Sequence, residues 1–402
     1  PELRRALSLP LLVLYGLGVT IGAGIYVLIG ATAGRAGLHA PFAFVVAALV
    51  MVFSASSFAE LSGRYPVSAG EAAYVRHGFD SRFLSLVTGI LVIFAGTVSS
   101  AAIAIGAAGY MLDFVDFPSW MIVTTVIVIL GVVAVWGIME SITFAGIFTV
   151  VEVVGLLVVV GAGIWFQPGL VARLPEIIPY PGDWVALGAV SSAALLAFFA
   201  FIGFEDLVNL AEETKEPERL MPRAIFLTLI IATLLYVAVV AVAVLSVPID
   251  ELAASRAPVR LVFEKITGTS PVLISLIAIV ATLNGVIVQI IMASRVLYGL
   301  GKQGSVPKIF AQVSPLTRTP IVATITVVAL VLVLALVFPL EELSEATSRI
   351  VLTIFALINM SLFRLKMMDV PAPKGVYTVG AWVPVVGFIT CVAMLLSPYF
   401  AS

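Results

Sequence analysis

Apolar runs of about twenty residues, separated by short polar segments, recur along the whole 402-residue chain. A helix needs ~20 residues to cross a bilayer, and hydrocarbon leaves no backbone N–H or C=O unpaired, so such runs predict transmembrane helices. They fall near residues 10–34, 41–64, 83–111, 118–138, 142–166, 187–212, 222–247, 270–300, 319–338, 343–363 and 376–399, eleven in all. At roughly 22 residues each they take up most of the chain and leave little for a soluble domain. The pattern predicts an all-α integral membrane protein with one transmembrane domain over residues 1–402.

Composition agrees and removes alternatives. The chain is 61% hydrophobic and 11% charged, with a mean hydropathy of +1.19; soluble domains carry about 25% charged residues. A net charge of -2 supplies no basic face for nucleic acid. Cys391 is the single cysteine, so no disulfide, thiolate metal site or CxxC motif can form, and neither a metal nor a cofactor is expected. Of the 21 Lys and Arg residues, fifteen fall in one set of loops (Arg4, Arg5, Arg64 and Arg295 among them) and six in the other. The bias predicts a multi-pass protein of the cell membrane with a cytoplasmic N-terminus. The first residue is Pro1 and the last run ends close to Ser402, so a twelfth span is expected in the full chain.

Two spans are abnormal. The first packs Gly16, Gly18, Gly22 and Gly24 into nine residues near mid-depth, although each glycine costs a helix interior ~1 kcal/mol. The sixth sets Gly203 beside the adjacent carboxylates Glu205 and Asp206. The two are about 180 residues apart and each opens a run of five spans. Inverted-repeat transporters have this design, with paired broken helices whose free amides face an anionic substrate group. The first repeat would cover about 10–166, the second about 187–363, with an additional helix at 376–399. Close helix packing through Gly18 and Gly22, a G-x-x-x-G pair, is the competing explanation of the glycines.

Gly18-Val-Thr-Ile-Gly22-Ala-Gly24-Ile-Tyr26 resembles the first-helix signature of the amino acid-polyamine-organocation (APC) permeases. Further stretches resemble the same family in order: Phe58-Ala-Glu60-Leu-Ser-Gly-Arg64-Tyr-Pro66-Val-Ser-Ala-Gly70-Glu71, Ala200-Phe-Ile-Gly203-Phe-Glu205, and Ser294-Arg295 through Arg318-Thr-Pro320. The resemblance implies a LeuT-like 5+5 inverted repeat with helices 1 and 6 broken. It implies a secondary transporter that moves an amino acid or related small amine by alternating access. It places the substrate carboxylate on the amides of Ile21, Gly22, Ala23 and Gly24, with Phe201 and Phe204 as the aromatic neighbours. Asn209, one helical turn beyond Glu205, would share its face and reach the substrate. Glu205 stands where exchangers of cationic amino acids carry a glutamate linked to proton-dependent gating.

One departure from the family matters. Aligning Glu140-Ser-Ile-Thr-Phe with the family's E-S-x-x-F puts Glu152 where many members hold a lysine that replaces a sodium ion. A carboxylate there can bind a cation or be protonated. The eighth span, through Asn284, lacks the adjacent hydroxyl pair of sodium-coupled relatives, which favours protons over sodium. Charges inside spans are costly and mark functional sites. Several carboxyls in a dry span cannot all stay ionised, so at least one of Glu152, Glu205 and Asp206 is expected neutral at pH 7 and able to carry a proton. The acids also lean the substrate toward a cationic amino acid. Helix capping is the plainer role open to Glu205 and Asp206. Thr97, Ser100, Asn284 and Asn359 are candidates for lining the cavity, although such hydroxyls commonly bond back to their own helix. Glu60, Arg64, Glu212 and Arg295 form a candidate inner gate. Exchange of two related amines and sodium symport remain open, as do, more remotely, a channel and a transporter-like sensor. An embedded enzyme would bring a nucleophile-base pair or H-E-x-x-H, and neither is present.

Overall fold

The structure, a computed structural model, describes residues 7–67, 70–112, 114–136 and 142–400. Arg4, Arg5 and the Glu140-Ser141 pair lie outside them, and Ala23 is described by its backbone alone. Among the described residues the regular elements are helices; an isolated bridge joins Leu7 to Thr214. The apolar runs become α1 (Leu9–Ala36), α2 (Ala40–Arg64), α4 (Arg82–Met111), α5 (Ser119–Trp136), α6 (Ile142–Phe166), α7 (Trp184–Phe199), α8 (Pro217–Ser246), α11 (Val272–Lys302), α12 (Ile321–Val337), α13 (Leu340–Met367) and α14 (Trp382–Phe400). Shorter helices α3 (Gly70–Phe79), α9 (Ile249–Ala254) and α10 (Pro258–Thr267) lie in the connections. Among the described residues eight stretches are long and apolar enough to cross a membrane, and the shorter apolar stretches Leu9–Gly22, within α1, Ile321–Val337 and Trp382–Ser397 fall on the other expected spans. The last begins at Trp382, six residues after the sequence-based start at 376, because residues 370–381 form a connection without helix.

α1 runs through the middle of the bundle, in contact with α6, α7, α8 and α11. α5, α6 and α12 lie outside and turn apolar side chains outward: Ile129 and Trp136, Leu157 and Trp165, Val333 and Leu336 are all exposed. A soluble protein does not expose that much apolar surface. The buried polar residues lie instead on inner helices, among them α2, α4, α11 and α13.

The two abnormal spans differ in outcome. α7 ends at Phe199, and its last amides bond three residues back, as at Ala200 to Ala197 (3.1 Å) and Phe201 to Phe198 (3.0 Å). Gly203 follows with φ +122°, a conformation open to glycine. A Cβ there would also lie 2.7 Å from Val19 of α1. The chain then resumes as a 3-10 helix over Phe204–Glu213. The break expected in the sixth span is therefore present. The break expected in the first is not: α1 is continuous from Leu9 to Ala36, so the amides of Ile21 to Gly24 belong to a helix. Packing is the reason. A side chain on Gly16, Gly18, Gly22 or Gly24 would strike Thr228 of α8, Thr149 of α6, the Ala281 carbonyl of α11 or Ala200 at the end of α7, respectively. Each glycine admits a different neighbour, and the closeness of four neighbours offsets their low helix propensity.

Candidate functional site

Two groups of buried polar residues flank the contact between α1 and the break after α7. The first is centred on Glu152, a fully buried side chain of α6. Asn284 of α11 donates Nδ2–H to its Oε1 at 3.2 Å. Among the described residues the second oxygen, Oε2, has no hydrogen-bond partner, and neither has Asn284 Oδ1. Gly22 presents its open side to this carboxylate: a Cβ on it would lie 3.6 Å from Oε2. Tyr26 of α1 donates its hydroxyl to the Glu152 backbone carbonyl at 2.7 Å. Tyr110 of α4 in turn donates to the Tyr26 carbonyl and accepts the Val259 amide of α10. The structure thus brings Gly22, Glu152 and Asn284 together from three helices.

The second group surrounds a small cavity of about 30 Å³ lined by Glu71, Gly96, Glu205, Asp206, Gln289 and Phe355, among others. That space suffices for one water molecule. Glu205 Oε2 accepts the Gly203 amide at 2.9 Å, capping the 3-10 segment it begins, and Asp206 bonds Gln289 of α11. Glu71 was not among the sequence-derived site residues, although it ends the motif after α2. It enters from α3, outside the spans, and burial pushes its carboxyl up to about 7 against the partial compensation of a backbone hydrogen bond. The three acids singled out in the sequence fall into two separate groups. Glu205 and Asp206 share a cavity with Glu71, whereas Glu152 pairs with Asn284 elsewhere.

Other candidates divide in the same way. Phe201 and Phe204 are both fully buried but face different aromatic groups. Phe201 packs on Phe44 and Tyr236 with ring centroids 6.3 and 5.0 Å away, and Phe204 on Phe58 and Phe355 at 5.9 and 5.5 Å. Asn209 does not share a face with Glu205. In a 3-10 helix residues three apart eclipse, so Asn209 stacks over Asp206, and its Oδ1 lies 2.8 Å from where a Cβ of Gly70 would be. Thr97 bonds back to Ile93 (2.6 Å) and Ser100 to Gly96 (2.8 Å). Asn359 ties α13 to α2, accepting from Ser57 at 2.7 Å and donating to Ser54 at 2.9 Å.

The inner-gate candidates resolve into a buried ion cluster with a member the sequence did not indicate. Glu60, fully buried, binds Arg64 at 2.8 Å and Lys366 of α13 at 2.8 Å, and accepts the Val379 amide at 2.8 Å. Arg64 also donates to the Val370 carbonyl at 2.9 Å, so the cluster holds the connection before α14. Arg295 lies elsewhere, within electrostatic reach of Tyr15 together with Asp206 and Glu213, and Glu212 lies in the last turn of the 3-10 segment. Lys366 gave no sequence signal because it reads as one more positive loop residue.

Residues 7–402 match the amino acid permease family. The chain is 28% identical to the branched-chain amino acid permease BcaP of Bacillus subtilis, over 98% of this chain and 88% of that one. It is 30% identical to the vacuolar cationic amino acid transporter 2 of Arabidopsis thaliana, over 91% of this chain but 60% of the longer plant protein. An uncharacterised transporter of Mycobacterium tuberculosis is 32% identical over 98% of this chain and 86% of that one. Among solved structures, a point mutant of the Eremococcus coleocola manganese transporter superposes with a TM-score of 0.68 at 16% identity, covering 97% of this chain and 86% of that one. That likeness shows the fold, a LeuT-like helical bundle. With the family matched from α1 to the last residue, the chain belongs to the amino acid permeases of the APC superfamily and carries amino acids across a membrane rather than catalysing a reaction.

Proposed function

We propose that this permease is a proton-coupled secondary transporter of the plasma membrane, its N-terminus cytoplasmic, with a preference for cationic amino acids. The substrate binds where α1 meets the break after α7, beside Gly22 to Gly24 and under Phe204. The helices of about 10–166 then rock against those of about 187–363, exposing the site to each side in turn. One observation carries the proton: Glu152 is fully buried with a single neutral donor and an unpartnered second oxygen. An isolated carboxylate costs heavily in such surroundings, and a proton or a cation relieves that cost. Glu205 and Asp206, with the cavity beside them, form the second place where a proton can wait.

The preference for cationic substrates rests on these acids around the α1–α7 contact; a relative named as a cationic amino acid transporter is consistent with it, one named as a branched-chain permease less so. The orphaned acceptors Glu152 Oε2 and Asn284 Oδ1 also favour a second reading, in which sodium takes the proton's place. Uptake of labelled arginine and leucine into proteoliposomes, under a pH gradient or a sodium gradient in turn, tests both. Accumulation driven by the pH gradient alone is the expected result. Accumulation that needs sodium establishes the second reading, and counterflow without a response to either gradient points to exchange of amines.

A further inference from the structure

The hydroxyl of Tyr236, on α8, lies 2.9 Å from the carbonyl of Thr20 and 2.9 Å from that of Ala200. These carbonyls belong to α1 and to the turn that ends α7. At the same level the two elements touch directly: Gly24 has no room for a side chain against Ala200, and Val19 lies against Gly203. An amino acid entering between them has to part that contact. A phenol has one proton to donate, so the two carbonyls compete for it. Ala200 ends a helix, where carbonyls lose their intrahelical partners, and its bond to Tyr236 supplies one. The Thr20 hydroxyl beside it is buried with no partner. The ring is fixed by Phe201 at 5.0 Å and Phe44 at 6.0 Å, so the hydroxyl cannot follow both elements when they separate.

We infer that Tyr236 is a positioning residue for transport: its hydroxyl fastens α1 to the broken α7 and sets how readily the two part to admit substrate. The inference rests on the proposed substrate position between these elements. Removing the hydroxyl leaves the buried Ala200 carbonyl, which has no intrahelical partner, short of a donor when the elements are together, but not when they are apart and meet water or a substrate ammonium. Losing such a bond and orphaning a buried acceptor shifts an equilibrium about tenfold. The parted arrangement therefore becomes about tenfold more populated, and apparent affinity rises with it.

Tyr236→Phe keeps the ring and removes only the hydroxyl. Hydrogen exchange read by mass spectrometry should quicken about tenfold in the peptides covering 17–26 and 198–206. The half-saturating arginine or leucine concentration for uptake should fall severalfold. Tyr110→Phe, which removes another buried hydroxyl from the bundle, should leave exchange in 198–206 as in wild type. In the wild-type protein, a transported amino acid should change exchange in both peptides together, which tests the link without any variant. Exchange and half-saturation equal to wild type in Tyr236→Phe overturn the inference, as does a response confined to one peptide. A protein that moves neither amino acid overturns the proposed function instead, while the exchange data still read the fastening.

Discussion

Asn284 donates its side-chain amide to Glu152 across the α6–α11 contact at 3.2 Å and leaves Oε2 of that carboxylate with no partner. The pair shares a surface with Gly22 of α1, so a change of charge on Glu152 is felt by the central helix.

Glu152→Gln keeps the shape and removes the charge. Its amide can donate to the orphaned Asn284 Oδ1, so the variant should be at least as thermostable as the wild type. Gradient-driven uptake in proteoliposomes should fall tenfold or more and lose its pH dependence, while counterflow persists. Glu205→Gln should share the loss of pH dependence. If both variants accumulate substrate with wild-type pH dependence, proton coupling through these acids is wrong.

Glu71 gives a pH window. Its carboxyl titrates near 7 in the folded protein against about 4.3 in an unfolded chain. Between those values the folded state holds the extra proton, so its stability declines as pH rises through the window and levels off above it. Glu71→Gln should remove that part of the slope. Melting temperatures of the detergent-solubilised protein from pH 4.5 to 8 provide the comparison, and parallel curves for the two proteins would refute the assignment.

Gly24→Ala and Gly161→Ala are the same substitution in opposite settings. At Gly24 the new methyl meets the Ala200 backbone, whereas nothing lies within 4 Å of Gly161. The first should cost about 1–3 kcal/mol as overpacking, and the second should gain up to about 1 kcal/mol in helix propensity. The order of the two melting temperatures decides the matter.

The Glu60 cluster should be sensitive to loss of one member. Lys366→Met leaves Glu60 with Arg64 and the Val379 amide. Arg64 still compensates the Glu60 charge, so the loss is that of one charged hydrogen bond, about 1.5–3 kcal/mol. Limited proteolysis should then cut the 370–381 connection faster than in wild type. Unchanged cleavage would mean that Lys366 does not hold it.

The run lengths alone determined where the chain crosses the membrane, because a bilayer admits few backbone solutions and hydropathy reports them directly. The local order of glycines and acids likewise marked the first and sixth spans as special. It could not say which of them breaks. Gly203 is forced open by its own φ and by Val19, while the glycines of α1 are used up by four surrounding helices, and no local pattern counts neighbours. Glu152 was legible as a costly charge; that Asn284 and Gly22 would meet it was not, since they come from helices more than a hundred residues apart in sequence. Glu71, Lys366 and Tyr236 look like ordinary loop or core residues in a linear reading. Only the packing of α3, α13 and α8 against the central helices decided what each of them touches.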